Sequence, residues 1–436
     1  MRLDKRRTVL VGFAFLSICA FWQMYNNVVP LILTNTFHMN ETWSGAIMAA
    51  DNVAGLFLLP LFGGLSDRCH SPLGRRRPFL ICGTAAAVVL MLVLPGLDNS
   101  YAAAPAAWKT AAFVAVLGAL LVAMGSYRSP AVALMPDVTP KPLRSEANAV
   151  INLMGALGGV LYLLLAAVLY SGEQSGHTDY YPLFGAVAVI MVLSAVVVSL
   201  TVREPSREEV LRRDAEERTL EKQSPTRQET PGELSAPVRR SLGFLLVSIS
   251  LWFIGYNAVE TWFTTYASQV WGMALGEASV CLTIAMAGAI VSYVPVGALA
   301  GRIGRRNTIL LGTALLTFSF FCAFLCTLAF ARFSPVMYGL FVLVGIAWAA
   351  ISVNSLPMVV EMCRAGDVGR FTGYYYTFSM AAQTITPIAA GWLLRNVGYD
   401  TLFPYAAIFS ACSMLTMFFV RHGDSRIPSK RKEART

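Results

Sequence analysis

Trp43-Ser44-Gly45-Ala46-Ile47-Met48-Ala49-Ala50-Asp51-Asn52-Val53-Ala54-Gly55-Leu56-Phe57-Leu58-Leu59-Pro60-Leu61-Phe62-Gly63-Gly64 is an apolar run interrupted by one charge. A stretch of 18 or more such residues is long enough to cross a ~30 Å hydrocarbon core as a helix. Twelve stretches of this kind follow one another, near residues 9–34, 43–64, 78–97, 110–136, 146–170, 180–201, 241–268, 277–299, 307–330, 335–360, 371–394 and 401–420. The 436 residues are 56% hydrophobic and 14% charged, against about 25% charge in a soluble domain. The pattern predicts an all-α membrane protein of twelve transmembrane helices. Barrel strands would alternate over ~10 residues instead.

The formal net charge is +9. All but four of the 34 Lys and Arg lie at the N-terminus, in the even-numbered loops or in the C-terminal tail; Lys109, Arg332 and Arg395 fall in odd loops and Arg128 within a span. The positive-inside rule therefore places both termini in the cytoplasm, in a multi-pass plasma (inner) membrane protein. No basic patch on a folded module points to nucleic acid. No cysteine falls in an expected external loop, so no structural disulfide is expected.

The apolar pattern breaks at residues 203–240, a charged linker with a possible surface helix over Arg207–Lys222. It separates an N-terminal six-helix bundle, 1–202, from a C-terminal one, 241–421, which a basic tail, 422–436, follows. The halves resemble each other. Tyr25-Asn26-Asn27-Val28 in span one matches Tyr256-Asn257-Ala258-Val259 in span seven at an offset of 231. Gly63 through Arg68, with Gly74-Arg75-Arg76-Arg77 after an insert, matches Gly297 through Arg306 at 234. Parallel six-helix halves are the repeat plan of major facilitator transporters, which bind substrate near the midplane. The chain resembles that superfamily in its Gly-x-Leu-x-Asp-Arg loop as well.

The run Ser66-Asp67-Arg68-Cys69-His70-Ser71-Pro72-Leu73-Gly74-Arg75-Arg76-Arg77-Pro78-Phe79 is similar to the sucrose transporters of plants, which carry Ser-Asp-Arg, a spacer and Gly-Arg-Arg-Arg-Pro-Phe. Val53-Ala54-Gly55, Pro60 and Gly63 before it agree. So do Arg144, Ala147-Asn148-Ala149, Gly155 and Gly158 after span four, and Gly345-Ile346 through Ser355-Leu356-Pro357 in span ten. The wider group is the glycoside–pentoside–hexuronide:cation symporters. The resemblance implies transport of a sugar, often a disaccharide or glycoside, driven by a proton or sodium gradient. The chain departs from the plant pattern where the span-four arginine is expected: Val132 stands there, and Arg128 lies one turn earlier.

Asp51 and Glu260 lie inside spans two and seven. A charge at a helix centre costs roughly 2.5–3.5 kcal/mol on insertion scales and usually faces a wet cavity. Both are candidates to carry the coupling ion, a proton or alternatively sodium. Arg128 cannot lose its proton and needs an anion or a wet cavity. Asp51 is the candidate partner, so Arg128 is expected both in coupling and in substrate binding. A sugar site combines amide or carboxylate hydrogen-bonders with an aromatic platform. Candidate lining residues are Trp22, Gln23, Tyr25, Asn26, Asn27, Asn52, Asn152, Tyr256, Asn257, Glu260, Trp262, Asn354 and Gln383. Amides in spans also glue helices together.

Asp67, Arg68, Arg75 and Arg76 are candidate gating residues at the cytoplasmic end, with Arg302 their repeat equivalent. Asp137 with Arg144 and Glu361 with Arg370 form a second symmetric set. No nucleotide loop, metal-ligand spacing or nucleophile–base pair is present, so neither an enzyme nor a resident cofactor is expected. The expected partners are a small molecule, a sugar, and the lipid bilayer, with the chain acting as a monomer. Two alternatives remain at this level: a proton-coupled exporter of drugs or metabolites on the same fold, and a non-transporting sensor or scaffold.

Overall fold

The computed structural model describes residues 4–139, 144–170, 176–204, 209, 235–330, 332–362 and 368–423. The linker beyond Glu204, including most of the expected surface helix over Arg207–Lys222, lies outside them, as does nearly all of the basic tail. The side chains of Asn148, Arg144 and Arg370 also lie outside the described residues.

Among the described residues twelve long helices run α1 Lys5–Leu31, α2 Glu41–Asp67, α3 Arg77–Ala103, α4 Ala107–Val138, α5 Arg144–Leu169, α6 Tyr181–Thr201, α7 Ala236–Trp271, α8 Leu275–Ile303, α9 Arg305–Ala329, α10 Val336–Glu361, α11 Val368–Asn396 and α12 Leu402–Phe418. No strand occurs among the described residues. Eleven are long and apolar enough to cross a membrane. The exception is α11, where Thr372, Tyr374, Tyr375, Gln383, Thr384 and Thr386 dilute the apolar content.

Most helices overrun the apolar runs that predict them, because polar residues continue the turn beyond the hydrocarbon. The largest overrun at a single end is in α3, which reaches Ala103 and so takes Asp98 into the helix. Local chemistry sets the ends. Asp4 caps α1 by accepting from the Arg7 N–H at 3.1 Å, and Asn40 caps α2 by accepting from Trp43 N–H at 2.9 Å. Pro78 and Pro182 sit in the first turns of α3 and α6, where the missing N–H costs nothing. A single glycine, Gly304, with φ +95°, turns α8 into α9.

The chain divides into two compact units, Met1–Gln228 with Ala267–Val280, and Glu229–Tyr266 with Cys281–Thr436. In the first, α1 is the central element and packs on α5, α6, α4 and α2, while α3 packs on α4 and α6. Val11, Ala14, Phe21 and Val28 of α1 are fully buried. Gly158 of α5 meets the Leu16 carbonyl of α1 so closely that any Cβ would overlap it. The same unit takes in the end of α7: Gln269 donates to Asn35 Oδ1 at 2.6 Å, and Gly276 N–H donates to the Tyr170 carbonyl at 3.1 Å. In the second unit α9 packs on α10 and α12. Gly345 of α10 meets the Ala285 carbonyl of α8 with no room for a Cβ. Ser248 of α7 and Ser413 of α12 exchange hydrogen bonds with each other's carbonyls at 3.0 and 2.9 Å. The side chains of Phe57, Val291, Val294 and Leu200 stay exposed on the outer helix faces, as lipid-facing residues do.

Candidate functional site

Charged residues gather at the basic end of the first unit. Gly74, at φ +110°, turns the chain between α2 and α3. Arg76 follows, almost fully buried. Its Nη2 lies 2.6 Å from Asp67 Oδ1, its Nε 3.0 Å from Asp137 Oδ2, and its Nη1 donates to Ser66 Oγ. Arg75 Nη2 reaches the same Asp137 oxygen at 3.1 Å. One guanidinium thus ties the end of α2 to the end of α4. Planar donors in a fork suit such a junction.

Glu204 completes the cluster. Its Oε2 accepts from the backbone N–H of Arg75 and Arg76 at 2.7 and 3.0 Å, and its Oε1 from that of Arg77 at 2.7 Å. These are donors a helix start leaves without intrahelical partners, and a carboxylate there also favours the helix dipole. A Cβ on Gly74 would lie 2.6 Å from Glu204 Oε2, so both the turn and the contact require glycine. Arg7 Nη2 donates to the Arg203 carbonyl at 2.6 Å, drawing in the start of α1.

Of the gating candidates, Asp67, Arg75, Arg76 and Asp137 come together here. Arg68 is exposed and closes α2 through its backbone N–H. In the second unit Arg305 Nη1 lies 2.5 Å from Glu361 Oε2, and Arg306 donates to the Phe418 carbonyl at 2.9 Å. Arg302 is exposed. The repeat is visible in the chemistry: an arginine opening the third helix of each unit meets an acid ending the fourth. Sequence reasoning named Glu361 without Arg305, although the Gly304-Arg305-Arg306 match to Gly74-Arg75-Arg76 carried that signal.

A second cluster lies deep in the spans of the first unit. The Arg128 guanidinium of α4 sits over the Trp22 ring of α1, 5.4 Å from its centroid, a cation–π geometry. Trp22 is held edge-on by Phe21 at 5.2 Å and Tyr25 at 5.4 Å. Its indole N–H is buried without a hydrogen-bond partner. Asp51 of α2 accepts from the Asn52 amide at 2.9 Å, and the Arg128 charge acts on it. The Tyr25 hydroxyl donates to the Ile47 carbonyl at 3.3 Å, fixing α2 one turn before Asp51. Asn27 is fully buried and donates to the Gln23 carbonyl at 2.6 Å; Asn26 is half-buried and Asn152 exposed. Asp51 lies ten residues into α2, about 15 Å from the helix start. A fixed cation on an aromatic face, a free indole donor and an acid can together bind a polar, hydroxyl-rich molecule.

The second unit carries an aromatic cluster. Tyr256 of α7 stacks on Trp348 of α10 at 3.9 Å and 30°. Trp252 meets Trp348 edge-on at 5.2 Å and stacks with Phe253 at 3.9 Å. The Tyr293 hydroxyl engages Trp348 and Ser352. Glu260, half-buried, lies one turn beyond Tyr256 and eleven residues from the end of α7. That is about 16 Å at 1.5 Å per residue. Trp262 is fully buried and donates to the Pro387 carbonyl at 3.2 Å, a bolt between α7 and α11. Asn257, Asn354 and Gln383 each donate to a carbonyl four residues back in their own helix, at 2.8, 2.9 and 3.3 Å. Trp348 was not among the sequence candidates. A tryptophan in an apolar span reads as packing, and its one signal is the surrounding run of small residues, Gly345, Ala347, Ala349 and Ala350.

The chain is similar to known proteins at three levels. The family model described as Major Facilitator Superfamily matches residues 11–322 and 266–436. A sucrose transport protein of Arabidopsis thaliana is 35% identical over 129 residues, 28% of this chain and 25% of that protein. Proton-associated sugar transporter A of Mus musculus is 32% identical over 154 residues, 34% of this chain and 20% of that protein. The matched stretch therefore spans a quarter or less of each relative's length. The crystal structure of a D-xylose–proton symporter superposes with a TM-score of 0.67 at 13% identity, covering 96% of this chain and 98% of that one. With a family match running nearly end to end and twelve helices in the repeat order of that fold, the chain belongs to the Major Facilitator Superfamily of transporters.

Proposed function

We propose that the protein is a secondary active transporter of a sugar, a disaccharide or glycoside, coupled to a proton and working by alternating access in the plasma membrane with both termini inside. The observation that carries this reading is the Trp22–Arg128–Asp51 cluster in the spans of the first unit. Arg128 holds a permanent charge on an aromatic face, and Trp22 keeps an unused N–H beside it. A sugar supplies hydroxyls for both and a weakly apolar face for the ring. Asp51 supplies a group able to take up and release one proton. The sugar-transporting relatives, over the shared stretch, favour the same substrate class.

In this scheme Arg128 answers to Asp51 when the acid is ionised and to substrate hydroxyls when it is protonated. Sugar and proton then favour each other by linkage. The test is transport by the purified chain in proteoliposomes with a panel of labelled mono- and disaccharides. Saturable uptake that grows with an inward proton gradient is expected. Asp51→Asn should abolish gradient-driven accumulation yet leave sugar counterflow intact. Accumulation by Asp51→Asn at the wild-type level removes Asp51 from coupling. Failure of every sugar, with saturable transport of an amphipathic cation, overturns the substrate class.

A further inference from the structure

At the end of the first unit opposite the basic loops, α3 carries a second acid, Asp98, that plays no part in the clusters above. It has no solvent exposure. Neither carboxyl oxygen has a hydrogen-bond partner of normal geometry, although the Thr36 hydroxyl lies beside it. An acid so placed needs a proton of its own or a countercharge, because an isolated buried carboxylate is strongly disfavoured. One titratable base is within reach: His177, in the segment between α5 and α6, whose Nε2 lies 3.4 Å from Asp98 Oδ2. That nitrogen is also 2.9 Å from Asn99 Oδ1.

Among the described residues, the other ionisable groups at this end of the unit are committed elsewhere or carry no positive charge. Lys109 of α4 donates to the Ser100 and Ala104 carbonyls at 2.8 and 2.7 Å. Asp179 accepts from the Asn99 amide at 2.8 Å and from Tyr181 N–H at 3.0 Å, and its like charge acts on Asp98. Tyr170 of α5 donates to the Asp179 carbonyl at 2.8 Å, and Tyr180, at the start of α6, is close enough to feel Asp98. Tyr162 of α5 adds a buried, unpartnered hydroxyl. Among the described residues, His177 combines partial exposure, with 29% of its side chain open, and contact with the acid.

We propose that Asp98 and His177 form a proton-binding site at this end of the protein, in which a proton taken up by the imidazole pairs the two residues and fastens the 176–181 segment to α3. The geometry needs hydrogen on Nε2, which the neutral ring supplies in one tautomer. The added proton, from water, enters at Nδ1, for which no partner is recorded among the described residues. The ring then becomes a cation against the carboxylate. The site stands apart from the residues invoked for sugar transport, and its test uses no substrate.

The test is hydrogen exchange on the full chain in lipid nanodiscs, followed in peptides covering residues 176–181. Rates at about pH 5.5 and about pH 8 are corrected for intrinsic chemistry. Wild type should exchange about fivefold faster at the higher pH as the segment opens. His177→Gln, at a partly exposed position, and Asp98→Asn should each lose that dependence, while Asp179→Asn keeps it. A pH-independent wild type overturns the proposal. So does a variant at either His177 or Asp98 that folds and still shows the wild-type dependence.

Discussion

Replacing Asp137 by Asn removes the carboxylate that Arg75 and Arg76 share. The structure sets the size of the effect. The Arg76 side chain is 5% exposed and that of Asp137 15%, whereas Asp67, the other acid on Arg76, is 55% exposed. Breaking a buried pair costs about 3–5 kcal/mol, mostly because the surviving charge is left unpaired, and because Arg76 keeps Asp67 the low end of that range applies. An exposed pair is worth about 0–1 kcal/mol. Asp137 lies nearer the first case and Asp67 nearer the second. Asp137→Asn should therefore cost about 3 kcal/mol, and Asp67→Asn under about 1 kcal/mol. For a unit of this size a kilocalorie moves the unfolding midpoint by roughly 2–4 °C, so the expected losses are about 6–12 °C and under about 4 °C. The assay is thermal unfolding of the purified protein in one detergent, monitored by intrinsic tryptophan fluorescence. Equal losses from the two variants, or no loss from Asp137→Asn, refute the assignment of Asp137 as the hub.

Three further outcomes follow from the geometry. Gly158→Ala forces a Cβ into the Leu16 carbonyl and should cost about 1–3 kcal/mol as an overpacked contact, whereas Gly118→Ala, with nothing within 4 Å, should be neutral or stabilising by the same thermal assay. Arg128→Lys keeps the charge but loses the planar group over Trp22, so proteoliposome uptake should fall about tenfold or more while the protein still folds; uptake at the wild-type level would detach the stack from substrate binding. Ser248→Ala and Ser413→Ala should each cost about 1 kcal/mol, and the double variant less than their sum, because each leaves the other's buried hydroxyl with fewer bonds.

The twelve spans were legible because lipid leaves a chain few choices. A backbone in hydrocarbon must satisfy its own hydrogen bonds, so apolar length alone identifies a helix. The repeat was legible where chemistry repeats, in the Tyr-Asn pairs at 25–26 and 256–257 and in the basic loops. Azimuth was not legible. Asn257 and Trp262 differ by five positions on α7, yet the first bonds its own helix and the second bolts to α11. Hydrophobicity that is nearly uniform around a helix carries no signal of which face meets which neighbour. Asp98 escaped because the apolar run ends before it while α3 continues to Ala103. Glu204 escaped because it opens a charged segment that reads as solvated linker, and only the fold brings it to three amides some 130 residues earlier.

The glycines at 158 and 345 have a consequence beyond stability. A side chain in a tight seam can rotate away, but a peptide carbonyl cannot leave without unwinding its helix. At both positions the neighbour is such a carbonyl. Sliding α1 along α5, or α8 along α10, by one helical turn would bring a bulkier residue against that oxygen, Met154 or Tyr162 in the first pair and Phe341 or Ala349 in the second. Whatever motion this protein uses to move its cargo, each of those two helix pairs travels as a single riveted beam.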